Sequence, residues 1–296
     1  MRFEHGSSAG QMPAMASGRS TSQVKPPPWH GWVVADLFLS ELSSGMFLFA
    51  ALGDVLAPGV YGRASRIGYL VAFPVIVADL VCLIADLGDP IRFHHMLRTF
   101  KLRSPMSTGV WAISLYATIA FVGCVLAIAD APQIAFARTL IGAIGIVPAL
   151  YVGAYKGVLL SATAQAGWKD ARWLGAELSI SSGMLGVASL LLIAILTSAA
   201  PAIHGYRAAL IVTLLLSLAA TVLVLAQTGR VIAHGFGFAR TILFYGLALG
   251  AGVILPLIIA VAAEGQAALA AGAVLAMFGA LAFRYHLVMT PHEVNS

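Results

Sequence analysis

The sequence is short of charged residues and of cysteines, and both shortages limit what the protein can be. Only 10% of its 296 residues are charged, whereas 60% are hydrophobic. Soluble domains carry roughly 25% charged residues, so this composition is typical of a membrane-embedded protein. The two cysteines, Cys82 and Cys124, lie in apolar segments. They are too few for a disulfide framework or a four-thiolate iron–sulfur site, and we expect them to serve packing.

Several motifs that mark common enzyme classes are also missing. The sequence has no glycine-rich phosphate loop, no zinc-ligand spacing and no nucleophile elbow. A membrane haem needs histidines that face each other at depth, but His94 and His95 are adjacent in a loop. We therefore expect no haem and no metal in this chain. Its cations lie between apolar segments, so the lipid bilayer, and not nucleic acid, is the expected surrounding.

Eight apolar segments are long enough to cross a bilayer as helices, at about 20 residues per crossing. We predict an all-α integral membrane protein with eight transmembrane helices arranged as two four-helix bundles. Residues 1–28 are predicted to be a disordered tail, 29–290 the membrane domain and 291–296 a C-terminal tail. The predicted helices are 32–57, 66–87, 108–130, 137–160, 174–199, 207–227, 240–263 and 266–288.

Two serine-rich segments resemble each other and suggest an internal repeat of four plus four helices. They run from Glu41 to Gly45 in helix one and from Glu177 to Gly183 in helix five. Spacings of small residues predict close helix contacts. These spacings are Gly246…Gly250, Ser179…Gly183 and Gly142…Gly145.

An even number of helices places both termini on one side of the membrane, which we call side A; the other is side B. Thirteen of the 17 cations are assigned to side A, including Lys156 and Arg284 near helix ends. The positive-inside rule then makes side A cytoplasmic, in a multi-pass protein of a bacterial inner membrane. The four cations of side B are Arg63, Arg66, Arg138 and Arg207.

The loop between helices two and three, residues 86–107, is called the basic loop. It carries the densest group of cations in the chain: Arg92, Arg98, Lys101 and Arg103. Membrane topology alone explains a basic loop. The alternative is that these cations hold a partner protein, a lipid headgroup or a redox substrate.

Carboxylates within the apolar segments are the strongest functional signal, because each costs at least ~2.5 kcal/mol to insert into a bilayer. Five of them fall in the half of the membrane near side A: Asp36, Glu41, Asp79, Asp86 and Glu177. Glu177 has an alternative role in bundle packing, through a hydrogen bond to Ser181. On side B, Asp54, Asp130 and Glu264 lie at segment ends and are expected to be solvated.

Polar and aromatic side chains lie at the same level as the carboxylates. They are Ser40 in helix one, Trp111 in helix three, and Tyr151 and Tyr155 in helix four. Aromatic residues near helix ends also serve as interfacial anchors, and that reading stays open. We predict a single pocket formed by helices one to four and covered by the basic loop.

Three segments together resemble one known family. Residues 86–94 read Asp-Leu-Gly-Asp-Pro-Ile-Arg-Phe-His, followed by Ser-Pro-Met-Ser at 104–107 and by Trp111. Residues 155–163 read Tyr-Lys-Gly-Val-Leu-Leu-Ser-Ala-Thr, and helix one begins at a tryptophan. This pattern resembles the polysulfide reductase membrane subunit family (NrfD/PsrC) over about residues 29–170. Asp89 stands where the family usually has arginine, and Lys156 where it usually has threonine.

The resemblance implies a quinone-binding membrane anchor that works with a ferredoxin-like iron–sulfur subunit and often a molybdopterin catalytic subunit. It implies that quinol binds in the first four-helix bundle. The family's best-known members have partners outside the cytoplasm, whereas the charge bias here places the basic loop inside. We retain the cytoplasmic assignment as the prediction.

We predict a subunit, not catalytic alone, that exchanges electrons between the quinone pool (menaquinone or ubiquinone) and an iron–sulfur partner in anaerobic respiration. Asp36, Glu41 and Asp86 would exchange protons. Arg92, Arg98, Lys101 and Arg103 would dock the partner, and Asp79 and Glu177 are further buried carboxylates. The predicted quinone-binding residues are Asp36, Ser40, Trp111, Tyr151, Tyr155, Arg92 and His94. The alternatives are a proton-coupled solute transporter and a purely structural anchor.

Overall fold

The computed structural model describes residues 31–86, 98, 100–129, 131–165, 167–169 and 171–294. Eight helices in this part of the chain are long and apolar enough to span a membrane, and it contains no strand. The predicted fold class is therefore confirmed. The elements are α1 Gly31–Leu56, α2 Pro58–Asp86, α3 Pro105–Ala129, α4 Pro132–Ser161, α5 Leu174–Leu196, α6 Ala200–Tyr245, a π-helical segment Gly246–Ile254, α7 Leu255–Ala262 and α8 Gln266–Val294.

Several helices extend beyond their predicted limits. α2 begins at Pro58, so Ala57 alone separates it from α1. Proline suits the first turn of a helix because the amide hydrogen it lacks would have no intrahelical partner there. α8 continues to Val294, past the predicted boundary at residue 290. The predicted tail at residues 1–28 lies outside the described residues.

The seventh span is the least regular of the eight. The helical trace from Ala200 breaks at Gly237, whose φ of 72° and ψ of 170° are not helical. The span Ala239–Ala262 then passes through the π-helical segment before α7. Pro256 stands in the first turn of α7, where proline ends the wider winding that precedes it. An irregularity of this kind is common near functional sites.

The helices pack as the two predicted four-helix bundles. In the first, α1 packs on α2, α2 on α3, α3 on α4 and α4 on α1. In the second, α5, α6, the seventh span and α8 close a similar ring. The bundles meet chiefly where α5 lies against α1 and α4. α1 therefore has neighbours in both bundles.

Glycine allows α1 and α5 to approach closely where they cross. A Cβ atom added to Gly45 would lie 1.8 Å from the carbonyl oxygen of Ser182, and one added to Gly186 would lie 2.1 Å from the backbone of Gly45. The prediction of close contact at Gly246…Gly250 is wrong, because no atom of another described helix lies within 4 Å of a Cβ at either position.

Two of the four side B arginines stabilise helix ends. The Nε of Arg66 donates to the carbonyl of Ala127 at 2.7 Å, near the end of α3. Arg207 donates to the carbonyls of Ala260 and Val261 at 2.7 and 2.9 Å, at the end of α7. A cation at a helix C-terminus satisfies exposed carbonyls and complements the helix dipole. These side chains therefore have a structural use in addition to any effect on topology.

The crossing of α1 and α5 yields a stability prediction. We expect Gly45→Ala to lower the free energy of unfolding by about 1–3 kcal/mol, because the added methyl group overlaps the backbone of Ser182. The measurement is the thermal unfolding midpoint of the purified chain in detergent. Gly59→Ala is the matched control, since nothing lies within 4 Å of its added Cβ. Equal midpoints for the two variants would contradict the close contact.

Candidate functional site

A lysine joins three helices of the first bundle around two carboxylates. Lys156 Nζ lies 2.9 Å from Asp36 Oδ1 and 3.0 Å from Asp79 Oδ1, and it donates to Ser40 Oγ at 2.8 Å. It also donates to the backbone carbonyl of Asp36 at 2.8 Å. We call Asp36, Ser40, Asp79 and Lys156 the Lys156 cluster. Its two carboxylates share one ammonium, so the cluster carries one excess negative charge when all three groups are ionised.

The sequence assigned Lys156 to the surface of side A, and this is wrong. Its residue exposure is only 5%, and its ammonium points toward α1 and α2 instead of toward water. The cost of burying the charge is offset by its two ion pairs. A threonine, which the resemblance implies at this position, would supply no charge to pair with the two carboxylates. Asp89, the other departure from the family pattern, lies outside the described residues.

An arginine forms a second buried cluster where α1 meets the second bundle. Arg284 of α8 is fully buried and makes a two-pronged ion pair with Glu41 of α1. It also donates to Ser181 Oγ at 2.9 Å and to the carbonyl of Ala280 at 2.7 Å. Glu177 of α5 lines the same small cavity as Arg284. We call Glu41, Glu177, Ser181 and Arg284 the Arg284 cluster.

The predicted proton-exchange residues therefore fall into different places. Asp36 belongs to the Lys156 cluster and Glu41 to the Arg284 cluster, because five residues along a helix turn a side chain by about 140°. Asp86 lies at the end of α2, two turns beyond Asp79. The expected bond between Glu177 and Ser181 is replaced by one from Arg284 to Ser181.

The sequence did not reveal the role of Arg284, because the predicted eighth helix ends at residue 288. The helix continues to Val294, which places Arg284 well inside it. A usable signal was present in the charge balance. The four carboxylates that lie away from segment ends, Asp36, Glu41, Asp79 and Glu177, require cations. Lys156 and Arg284 are the cations that lie at least one turn inside predicted helices.

The tyrosines of α4 connect the Lys156 cluster to the outer surface of the first bundle. The Tyr155 ring centroid lies 5.9 Å from Lys156 Nζ. The ring also covers Gly109 of α3, where an added Cβ would lie 2.3 Å from it. One turn earlier, the ring of Tyr151 is parallel to that of Tyr155, with centroids 6.2 Å apart. Tyr151 is partly exposed, and its hydroxyl donates to Thr108 Oγ1 at 2.8 Å.

An open cleft of about 570 Å³ lies beside Tyr151, between α3 and α4. Trp111 forms one wall, and the Phe100 ring packs edge-on against it with centroids 5.9 Å apart. The cleft is mostly apolar but contains hydroxyl groups. Its lining residues are Phe100, Thr108, Trp111, Ala112, Ser114, Leu115, Thr118 and Tyr151. The predicted residues Trp111 and Tyr151 thus share a cleft, whereas Asp36 and Ser40 lie deeper, behind Tyr155.

Side B contains a polar cluster that the sequence did not predict. Asp54 was expected to be solvated, but its residue exposure is 1%. Its carboxylate accepts hydrogen bonds from Arg138 Nε at 2.8 Å and from Arg138 Nη2 at 3.3 Å. This bidentate pair joins the end of α1 to the start of α4. Glu264 is exposed as expected, and Asp130 lies outside the described residues.

The described part of the basic loop presents its cations to the surroundings. Arg98, Lys101 and Arg103 are all exposed. Arg92 and His94, predicted to contact the quinone and the partner, lie outside the described residues. Within the residues that the structure describes, no three His, Cys, Asp or Glu side chains are grouped to hold a metal ion.

Comparison with known families agrees with the pattern of the basic loop and helix four. The family described as "Polysulphide reductase, NrfD" matches residues 19–293. The chain belongs to the NrfD family. The resemblance seen in the sequence is thereby confirmed, and it extends over both bundles of this NrfD protein.

Two relatives of this NrfD protein are similar to parts of it. It is 31% identical over 163 residues to a polysulfide reductase chain of Wolinella succinogenes, a match that spans 48% of this chain and 50% of that protein. It is 32% identical over 88 residues to a selenate reductase subunit of Mesobacillus selenatarsenatis, a match that spans 30% of this chain and 20% of that protein. The matches thus span half or less of each relative's length.

The Lys156 cluster yields the second prediction. We expect Lys156→Met to lower the free energy of unfolding by about 3 kcal/mol, because two buried carboxylates then share no cation. The thermal unfolding midpoint of the purified NrfD protein measures this loss. Adding Asp36→Asn and Asp79→Asn to Lys156→Met should restore much of it. Lys169→Met, at an exposed lysine, is the control, and an equal effect of the two lysine changes would contradict the ion pairs.

Proposed function

We propose that this chain is the quinone-binding membrane subunit of a respiratory oxidoreductase complex related to the polysulfide and selenate reductases. The observation that carries the proposal is the connection between the cleft and the Lys156 cluster. An apolar cleft at the bundle surface leads, through the parallel rings of Tyr151 and Tyr155, to two buried carboxylates and an ammonium. A reaction that transfers electrons and protons together needs a cleft that binds the quinone and ionisable groups nearby that exchange its protons.

The cleft suits a quinone headgroup in size and character. Its volume of about 570 Å³ lies within the usual range for small-molecule sites, roughly 300–1,000 Å³. Trp111 offers an aromatic face, while the hydroxyls of Thr108, Ser114 and Tyr151 offer hydrogen bonds to a carbonyl or hydroxyl oxygen. The cleft opens at the side of the bundle, where an isoprenoid tail would remain among lipid chains.

A bound quinol supplies two electrons and two protons when it is oxidised. The Lys156 cluster is suited to hold one of these protons, since a proton on Asp36 or Asp79 removes its excess negative charge. Tyr155, between the cleft and Lys156, is the group positioned to pass a proton inward. Asp86, at the side A end of α2, is suited to return it to water.

The electrons are proposed to pass to a partner, because the two cysteines of this chain are too few for a four-thiolate cluster. We propose a ferredoxin-like iron–sulfur subunit, accompanied by a molybdopterin catalytic subunit. The surface of this chain that docks the iron–sulfur subunit would consist of the exposed cations Arg98, Lys101 and Arg103, together with Arg92 and His94. The cleft begins at Phe100, within this surface, so the quinone site and the partner would be neighbours. We place the basic loop and both termini in the cytoplasm of a bacterial inner membrane, on the charge bias.

Neutralising the proton-holding group tests the proposal. We expect Asp36→Asn and Tyr155→Phe each to lower quinol-dependent reduction of the partner's clusters by at least about tenfold, because proton transfer at these positions is lost. Turnover is followed optically in membranes that contain the whole complex. In Asp36→Asn the Asp79 carboxylate still pairs with the Lys156 ammonium, so the protein should still fold. Tyr206→Phe, at a buried tyrosine of α6, is the control, and unchanged turnover in both test variants would reject the site.

Filling the cleft tests where quinone binds. We expect Ala112→Phe to raise the KM for quinol about tenfold, a loss of roughly 1.4 kcal/mol of binding, because the ring occupies the cleft. The kcat should change less, since the Lys156 cluster is untouched. Val125→Phe, at an exposed position of α3 outside the cleft, is the matched control. A transporter or a structural anchor would show no quinol kinetics to perturb.

A further inference from the structure

The Arg284 cluster has no part in the proposed quinone site, yet it contains two of the buried carboxylates. Glu41 comes from α1, Glu177 from α5 and Arg284 from α8, and all three are almost fully buried. With every group ionised, two negative charges face one positive charge. An excess charge deep in a bundle is costly, and one bound proton removes it. The composition of the cluster is thus that of a proton-binding site.

Two polar atoms at this cluster have no partner among the residues that the structure describes. Glu177 Oε2 is buried and accepts no hydrogen bond, although the exposure of the whole residue is 3%. Ser217 Oγ of α6 is also buried without a partner. Leaving such groups unsatisfied is costly, so native proteins usually satisfy them, with ordered water where no protein group reaches.

Both orphan atoms belong to residues that line the same cavity. The cavity has a volume of about 10 Å³, which is room for roughly one water molecule. Thr221 and Arg284 also line it, so a water there would find several polar neighbours. Water enters a small cavity only where polar partners are available, and this cavity provides them.

The other walls of the cavity are formed by the π-helical segment and by α8. Ala248 and Val253 of the π-helical segment form one side, and Phe283 of α8 forms another. Gly252 and Gly279 bring the π-helical segment and α8 together at Cα level, since a Cβ on Gly279 would lie 2.0 Å from Gly252 Cα. The irregular winding therefore shapes one wall of the polar cavity.

We propose that this cavity binds one water molecule. We propose further that the Arg284 cluster, which this water contacts, is a second proton-binding site of the protein. The proton comes from the aqueous phase and forms an O–H bond on the Glu177 carboxylate, so two carboxylates, one guanidinium and one proton sum to zero charge. The charged groups facing Glu177 are Glu41 from α1 and Arg284 from α8, while α6 contributes the hydroxyls of Ser217 and Thr221. Lys156 acts on Glu41 through space from the far side of α1.

Infrared difference spectroscopy of the full-length chain in lipid, without quinone, tests the proposal. A pH change should give a carboxylic-acid C=O band that shifts in D₂O, and an O–H band of an isolated water that shifts in H₂¹⁸O. We expect Glu177→Gln to remove one component of the acid band and to leave the component that Asp36→Asn removes, which belongs to the Lys156 cluster. Ser217→Ala should abolish or shift the water band, because it removes one partner of the water. Ser189→Ala, whose buried hydroxyl bonds to the carbonyl of Leu185 instead, is the matched control and should leave both bands unchanged.

Two spectroscopic results would overturn the proposal, one from the acid band and one from the water band. An acid band that loses no component in Glu177→Gln would show that Glu177 holds no proton and would overturn the proposal. A spectrum with no ¹⁸O-sensitive water band, or one unaffected by Ser217→Ala, would also overturn it. The quinone proposal is not tested by these spectra, because no quinone is present. A failure here and a failure of the quinol kinetics are therefore separate results.

Discussion

The pairing of buried charges with cations from distant helices is the constraint on which this structure depends. α1 carries Asp36 and Glu41 on different faces, and neither can remain alone in hydrocarbon. Lys156 of α4 forms an ion pair with Asp36, and Arg284 of α8 forms an ion pair with Glu41. Because the two faces point into different bundles, satisfying both carboxylates fixes α1 between the bundles. The close crossing at Gly45 then brings α5 against the same helix.

Much of the fold was predictable because apolar length alone identifies a membrane helix. All eight helices were found, and the grouping into two bundles agrees with the packing. Helix ends were less accurate, since composition does not reveal that α2 begins at Pro58 or that α8 reaches Val294. The break at Gly237 falls within the predicted connection between residues 227 and 240, whereas the π-helical winding that follows leaves no clear signal in an apolar sequence.

The candidate site was predicted only in part. The carboxylates stood out because charge is rare in apolar segments, and Tyr155 and Trp111 were identified from their level in the membrane. Which residues contact each other depends on helix rotation and on neighbours far away in the chain, and one sequence does not provide these. Lys156 and Arg284 were therefore read as surface cations, and Asp54 as solvated, although a partner cation buries it. Each error concerned a charge whose partner lies on another helix.

The distance along the chain between Glu41 and Arg284 has a consequence for synthesis. They are 243 residues apart, in the first and last helices, so Glu41 enters the bilayer long before its cation exists. Asp36 likewise precedes Lys156, which arrives with α4. Until α8 has been translated, the nascent protein holds an uncompensated acid within the membrane. A polypeptide released before α8 is made would keep the Glu41 carboxyl group without its cation. Membrane quality control could recognise an unfinished protein by this unpaired group.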